Sequence, residues 1–216
     1  MRFLAPFLRH FFHHFYRSLA WSYDLVSETV SLGRWRAWIR IGLRYVRGPR
    51  VLELGHGPGH LQAMLRALGI ATIGLDESVQ MGGMARRHLQ NSGYAHPGLV
   101  RGRAQSLPFS SAAFDTLIAT FPTDFIASAE ALSGAHRVLR PGGRFVVLPA
   151  AWLAGNGWPD RIAAGLLRLT GESPQSKERF ADKIRLPFEA AGFRVTIEHV
   201  HESSSLVLVL LAEKPL

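Results

Sequence analysis

Arg50-Val51-Leu52-Glu53-Leu54-Gly55-His56-Gly57-Pro58-Gly59-His60-Leu61 is the stretch whose reading decides the fold. Val51, Leu52 and Leu54 form a short apolar run suited to a buried strand. Gly55, Gly57 and Gly59 end that run at once, and a helical pattern follows from His60 to Leu68. A strand that feeds a glycine turn and then a helix N-terminus presents amide N–H groups and a helix dipole to a ligand, a recipe for holding a nucleoside. The spacing here is G-x-G-x-G, tighter than the G-x-G-x-x-G of nicotinamide-binding turns, and the acid Glu53 precedes it.

Working outward, Ala71 to Leu75 is a second apolar run, and it ends in Asp76, twenty-one residues past Gly55. An acid at that strand end can accept both hydroxyls of a ribose. Asp76 can also cap a helix that starts near Glu77 and Ser78. Further strands are expected at 99–103, 114–120 and 144–149, with a helix over 127–139 and a sharp turn at Arg140-Pro141-Gly142-Gly143. Residues 150–174 read as an insertion with a helix over 160–169. A helix over 177–191 and strands at 193–200 and 206–212 close the chain. Alternating strands and helices predict an α/β, doubly wound, Rossmann-like parallel sheet.

Two regions are expected, an N-terminal helical cap over 1–46 and the ligand-binding domain over 47–216. The first 50 residues hold nine Arg against Asp24 and Glu28, which is +7 of the net +9, so a basic segment precedes a nearly neutral body. Phe3, Phe7, Phe11 and Phe15 fall at four-residue steps opposite Arg9, His13 and Arg17. That face either packs on the domain or on a second copy of the chain, or lies flat on a membrane surface. The histidines interrupt any signal-peptide core, and the apolar run is too short to span a bilayer. The chain has no cysteine, which excludes disulfides, thiolate metal sites and cysteine nucleophiles and fits a reducing, cytoplasmic location, peripheral to a membrane in the second reading. His13 and His14 are adjacent and point to different helical faces, so no metal is expected. Arginine excess alone is a weak signal for nucleic acid, and none is expected as a partner.

Four ordered pieces carry a resemblance: Val51 to Gly59, Gly74-Leu75-Asp76, Ala104-Gln105-Ser106-Leu107-Pro108-Phe109 with Phe114-Asp115, and His136-Arg137-Val138-Leu139-Arg140-Pro141-Gly142-Gly143. Over residues 21–212 the chain resembles the class I S-adenosylmethionine-dependent methyltransferases, in particular the ubiquinone/menaquinone C-methyltransferase branch. The resemblance implies a seven-stranded sheet whose last strand inserts antiparallel. It also implies S-adenosylmethionine as cofactor, with Gly55, Gly57 and Gly59 against its methionine part and Asp76 on the ribose hydroxyls. Glu53 belongs to the same candidate set. Glu77 and Met81 would lie near the adenosine, Ala104 and Gln105 beside the adenine, and Thr120 with Phe121 along the methyl-transfer chamber. One departure stands out. Many relatives have Gly-Asp-Ala where this chain has Gly102-Arg103-Ala104, and an arginine cannot accept a hydrogen bond from the adenine amine.

Methyl transfer is an in-line displacement at a sulfonium carbon, so the protein mainly aligns two molecules and excludes water. Where the acceptor is a phenol or alcohol a base helps, and Tyr23, His56 and His60 are the candidates; His56 reads equally as a residue that shapes the loop. The acceptor is expected to be a small lipophilic molecule, because the N-terminal apolar face and Trp152, Trp158, Leu166 and Leu167 would build a greasy cap. Two other classes are open at this point: a non-catalytic binder of the cofactor, and a nicotinamide oxidoreductase. The glycine spacing and the lack of a Tyr-x-x-x-Lys pair disfavour the second.

Overall fold

The structure, a computed structural model, describes residue 31 and residues 33–96, 98–153 and 174–216. Its centre is a seven-stranded sheet: β1 (Arg50–Leu54), β2 (Ala71–Asp76), β3 (Leu99–Arg101), β4 (Phe114–Thr120), β5 (Leu139–Leu153), β6 (Arg194–Glu202) and β7 (Ser205–Glu213). The spatial order is β3-β2-β1-β4-β5-β7-β6. β1 to β5 run parallel, and β7 is antiparallel to both of its neighbours. The antiparallel insertion of the last strand is therefore present.

The strands read as near-continuous apolar runs because helices cover both faces of the sheet. One face buries Leu52, Leu54, Leu117, Phe145 and Val147 against Leu132, Ala135 and Val138 of α4 (Ala129–Val138) and Phe188 of α5 (Pro174–Ala190). The alternate residues Val51, Ile118, Val146 and Leu148 face the other way. They meet Trp38 and Ile41 of α1 (Trp35–Ile41) and Leu61 and Leu65 of α2 (His60–Ala67). α3 (Val79–Asn91) buries Met81, Ala85 and Leu89, with Ser78 capping it by accepting from the Met81 N–H.

Several expected boundaries move. Within the expected helical cap, α1 tightens after Ile41 into a 3-10 turn over Gly42–Tyr45. The Arg-Pro-Gly-Gly turn is a bulge inside a longer β5. Its register against β4 shifts between Phe114 and Thr116, and Gly142 and Gly143 exchange backbone hydrogen bonds with Lys214. β5 then runs on to Leu153, paired with β7, so the first four residues of the expected insertion are strand. Trp152 is buried against Phe180 and Leu208, a core residue rather than part of a greasy cap. Residues 1–30, with Tyr23 and the phenylalanine face, and Trp158, Leu166 and Leu167 lie outside the described residues.

At the N-terminal edge of the sheet, Asp115 ties three strands. Its buried carboxylate accepts from the Arg50 backbone N–H at 2.9 Å and from Arg50 Nη2 at 2.9 Å, and Arg140 Nε lies 3.0 Å away. The hydrogen bonds from Arg50 hold the Asp115 carboxyl below its ordinary pKa, against the opposing effect of burial. The stability this pairing supplies is present above the ordinary carboxylate pKa and is lost as pH falls through the lowered value. Asp115→Ala should destabilise the fold by about 1–3 kcal/mol, because it leaves the Arg50 backbone N–H without its acceptor beside a small cavity. Urea denaturation at pH 7 checks this, and the gap to wild type should narrow below pH 4.

Candidate functional site

The C-terminal ends of β1 to β4 meet along one edge. Leu54 lies opposite Leu75, Asp76 opposite Arg101 and Glu53 opposite Ile118, which brings Gly55, Asp76, Gly102 and Thr120 to one level. The strand order reverses between β1 and β4, and ligands of such sheets bind at that switch point.

The loop after β1 is built for close approach. Gly55, Gly57 and Gly59 all have positive φ, at 75°, 52° and 87°. A Cβ at Gly57 would meet nothing within 4 Å, so open space lies over the loop's middle. A Cβ at Gly59 would lie 3.0 Å from Ala85 Cβ, so this glycine lets α2 pack against α3. Gly59 is also the N-cap of α2 and offers no side chain, which leaves the first N–H groups of α2 for a ligand.

Asp76 holds the loop in place. Its Oδ2 accepts from the Gly57 N–H at 2.9 Å, and its Oδ1 accepts from the Ser78 N–H at 2.9 Å. Each oxygen keeps a further lone pair for a ligand hydroxyl. Thus Asp76 serves the turn before α3 as one reading of the sequence expected, although Ser78 is the cap itself.

Glu53 faces away from the loop, toward α2. It is 1% exposed and accepts from Gln62 Nε2 at 2.8 Å. Burial pushes its pKa up to about 8, Gln62 opposes the rise, and the nearby Asp76 adds to it. His56 is 4% exposed and packs over Gly74 beside Gln62. Its Nδ1 lies 2.7 Å from the Gly57 carbonyl, which can only accept, so Nδ1 carries a proton. Burial lowers the His56 pKa, with Asp76 and backbone carbonyls opposing. The hydrogen bond to Gly57 fixes the ring against the loop and leaves Nε2 as its unprotonated nitrogen. His60 stands at the start of α2 with its ring edge-on to His88 at 4.9 Å.

After β3 and at the start of α3, Ala104 is buried, Gln105 is half-buried and Met81 is 5% exposed within the core. Arg103 Nε pairs with Glu77 Oε2 at 3.5 Å, with both side chains mostly exposed. Such a pair adds little stability. On the other side, half-buried Thr120 is followed by Phe121, and Phe125 Cζ would lie 3.7 Å from a Cβ at Gly55. Phe125, Gln62 and the Arg103–Glu77 pair are elements that reading the sequence missed. No spacing connects Phe125 to Gly55, whereas a glutamine facing the core from α2 is a signal that a buried polar partner is needed.

The methyltransferase domain family matches residues 52–147. Over 195 residues the chain is 30% identical to the ubiquinone/menaquinone biosynthesis C-methyltransferase UbiE of Rubrivivax gelatinosus, spanning 84% of this chain and 75% of that protein. This chain belongs to the class I S-adenosylmethionine-dependent methyltransferases. That membership sets aside the nicotinamide reading. The fold is shared with a solved Pyrococcus horikoshii protein, with a TM-score of 0.65 at 19% identity and coverage of 93% and 98%. It is also shared with geranyl diphosphate methyltransferase bound to its substrate and sinefungin, with a TM-score of 0.60 at 14% identity and coverage of 82% and 77%.

The cofactor of this methyltransferase is S-adenosylmethionine, and the open glycine cradle with the Asp76 carboxylate fits a nucleoside with two adjacent hydroxyls. When bound, it supplies an electrophilic methyl on a sulfonium. Glu53 supplies a test of the site's electrostatics. Its pKa is raised in the fold, so its contribution to stability is full below the ordinary carboxylate pKa and is lost as pH rises toward 8. Glu53→Gln should therefore flatten the fall of Tm between pH 6 and 8, by roughly 5 °C relative to wild type. Parallel melting curves for the two proteins would refute the assignment.

Proposed function

We propose that this methyltransferase transfers a methyl group to a small lipophilic acceptor held between the glycine loop and the end of β4. The observation that carries the reading is the aromatic side chains near that edge: Phe125 beside Gly55, and Phe121, next after Thr120, packed on Trp35. Aromatic walls exclude water and favour apolar, planar ligands. The relative named for ubiquinone and menaquinone biosynthesis supports the same class. Phe3, Phe7, Phe11 and Phe15 at four-residue steps, opposite Arg9, His13 and Arg17, support a membrane surface as the source of the acceptor. Among the described residues no helix is long and apolar enough to cross a membrane.

In this reading Gly55, Gly57 and the start of α2 receive the methionine part, and Asp76 takes the ribose. Glu77, Met81, Ala104 and Gln105 surround the adenosine, while Glu53 supports the loop from behind. Thr120 and Phe121 bound the acceptor. Alignment and exclusion of water carry the rate, since the activated methyl needs no strong base when the acceptor is itself nucleophilic. Tyr23 is the candidate base for an acceptor that must lose a proton.

Calorimetry and labelled-methyl transfer test the reading together. Wild type should bind S-adenosylmethionine, and Asp76→Asn should weaken that binding about 10–100-fold by losing charged hydrogen bonds. Labelled methyl should appear on a prenylated 1,4-naphthohydroquinone supplied in phospholipid vesicles. Cofactor binding without methylation of any vesicle-borne ring would exclude the lipophilic acceptor.

A further inference from the structure

Most polar backbone groups in the middle of the glycine loop are held by near neighbours. Asp76 accepts from the Gly57 N–H, His56 Nδ1 donates to the Gly57 carbonyl, and the Gly59 N–H donates to the His56 carbonyl at 3.0 Å. The Pro58 carbonyl differs. Pro58 is buried, and the first helical bond of α2 runs from the Ala63 N–H to the Gly59 carbonyl, one residue too late to use the Pro58 oxygen. An acceptor so placed needs a donor from elsewhere. His88, on α3 and 30 residues along the chain, brings its Nδ1 to 3.2 Å from that oxygen. A carbonyl only accepts, so the hydrogen bond puts the proton on Nδ1.

Two contacts fix where His88 stands. A Cβ at Gly59 would lie 3.0 Å from Ala85 Cβ, and Ala85 is one turn before His88, so the close approach at Gly59 carries α3 within reach of the loop. His60, the first residue of α2, sets its ring edge-on to that of His88, with centroids 4.9 Å apart. The effect on the loop follows from peptide geometry. In the trans peptide between Pro58 and Gly59 the carbonyl and the N–H point opposite ways. Holding the Pro58 oxygen against α3 therefore aims the Gly59 N–H into the loop and sets the direction in which α2 starts. Gly59, at φ of +87°, would by itself let this peptide turn freely.

We propose that His88 is a positioning residue for the cofactor: its Nδ1–H holds the Pro58 carbonyl, so that the loop and the first N–H groups of α2 stay directed at the amino-acid part of S-adenosylmethionine. The inference rests on the reading that places that part at the glycine loop, and it names what keeps the loop in register from the α3 side. The amino-acid part ends in a carboxylate, which N–H groups at a helix start suit. The adenosine part is served from Asp76 and does not depend on the Pro58–Gly59 peptide. His88 acts through the loop backbone and spends its Nδ1 proton there.

Calorimetry with two ligands tests this: S-adenosylhomocysteine, which carries the amino-acid part, and 5′-methylthioadenosine, which lacks it. His88→Leu removes the donor and should weaken S-adenosylhomocysteine about tenfold while leaving 5′-methylthioadenosine unchanged. His88→Asn, whose side-chain amide offers an N–H at the position of Nδ1, should restore S-adenosylhomocysteine binding to within about threefold of wild type. Amide exchange at Gly59 and His60 should quicken in the Leu variant and not in the Asn variant. As a check that needs no variant, nitrogen NMR of wild type should find the His88 proton on Nδ1. Equal weakening of both ligands, an Asn variant no better than the Leu variant, a Leu variant as tight as wild type, or a His88 proton on Nε2 alone overturns the inference and leaves the loop reading intact. Wild type that binds 5′-methylthioadenosine as tightly as S-adenosylhomocysteine overturns the placement of the amino-acid part, and both readings with it.

Discussion

The Asp76 carboxylate is the contact on which this site depends. A glycine loop left to itself is the most conformationally free segment a chain can have, and a loose cradle binds weakly because ordering it on binding opposes association. Asp76 removes much of that freedom by gripping the Gly57 N–H from the end of the neighbouring strand, while its other oxygen fixes the turn into α3 through Ser78. One side chain therefore registers the two phosphate-free sides of a nucleoside site, loop and strand end, before any ligand arrives. Gly55 N–H on the Leu75 carbonyl adds a backbone clasp at the same level.

The opposite edge of the sheet is closed in a different manner. There Asp115 gathers Arg50 and Arg140, and Arg144 pairs with Glu213, so the N-terminal ends of the strands are locked by charge. Between the two edges the sheet is apolar on both faces, and the helices that cover it leave little room for movement. The bulge at Gly142 and Gly143 belongs to the locked edge, held to Lys214.

Much of this was legible in the sequence, because its cues are local. Three glycines after an apolar run, an acid at the next strand end, and alternating strands and helices specify the sheet and its cradle. The parts that were not legible depend on distance through space. Arg140-Pro141-Gly142-Gly143 has every mark of a turn, and only the partner strand β7 converts it into a bulge. Trp152 stands in a glycine- and proline-rich stretch that looks peripheral, yet β5 carries it into the core against Phe180. The partner of Glu53 was equally beyond the sequence. The period of two along β1 turns Glu53 to the α2 side with Val51, where Gln62 receives it.

The electrostatics of the loop explain why it needs so few charged groups. Glu53 and Asp76 are close enough to raise the proton affinity of Glu53, and burial raises it further. A neutral Glu53 leaves Asp76 as the one carboxylate that shapes the loop, which avoids two like charges beneath it. His56 completes this arrangement, since its Nδ1 proton is already given to the Gly57 carbonyl and burial disfavours a second proton. A histidine so engaged is fixed to the loop's shape, with Nε2 as its unprotonated nitrogen. The chemistry then falls to alignment of the acceptor against a fixed sulfonium, and in an in-line displacement a small lateral error is expensive. The end of β4 is correspondingly fixed: Phe121, at a φ of +49°, donates to the Leu148 carbonyl and packs against Trp35 and Trp38, so the backbone strain there is held by its surroundings.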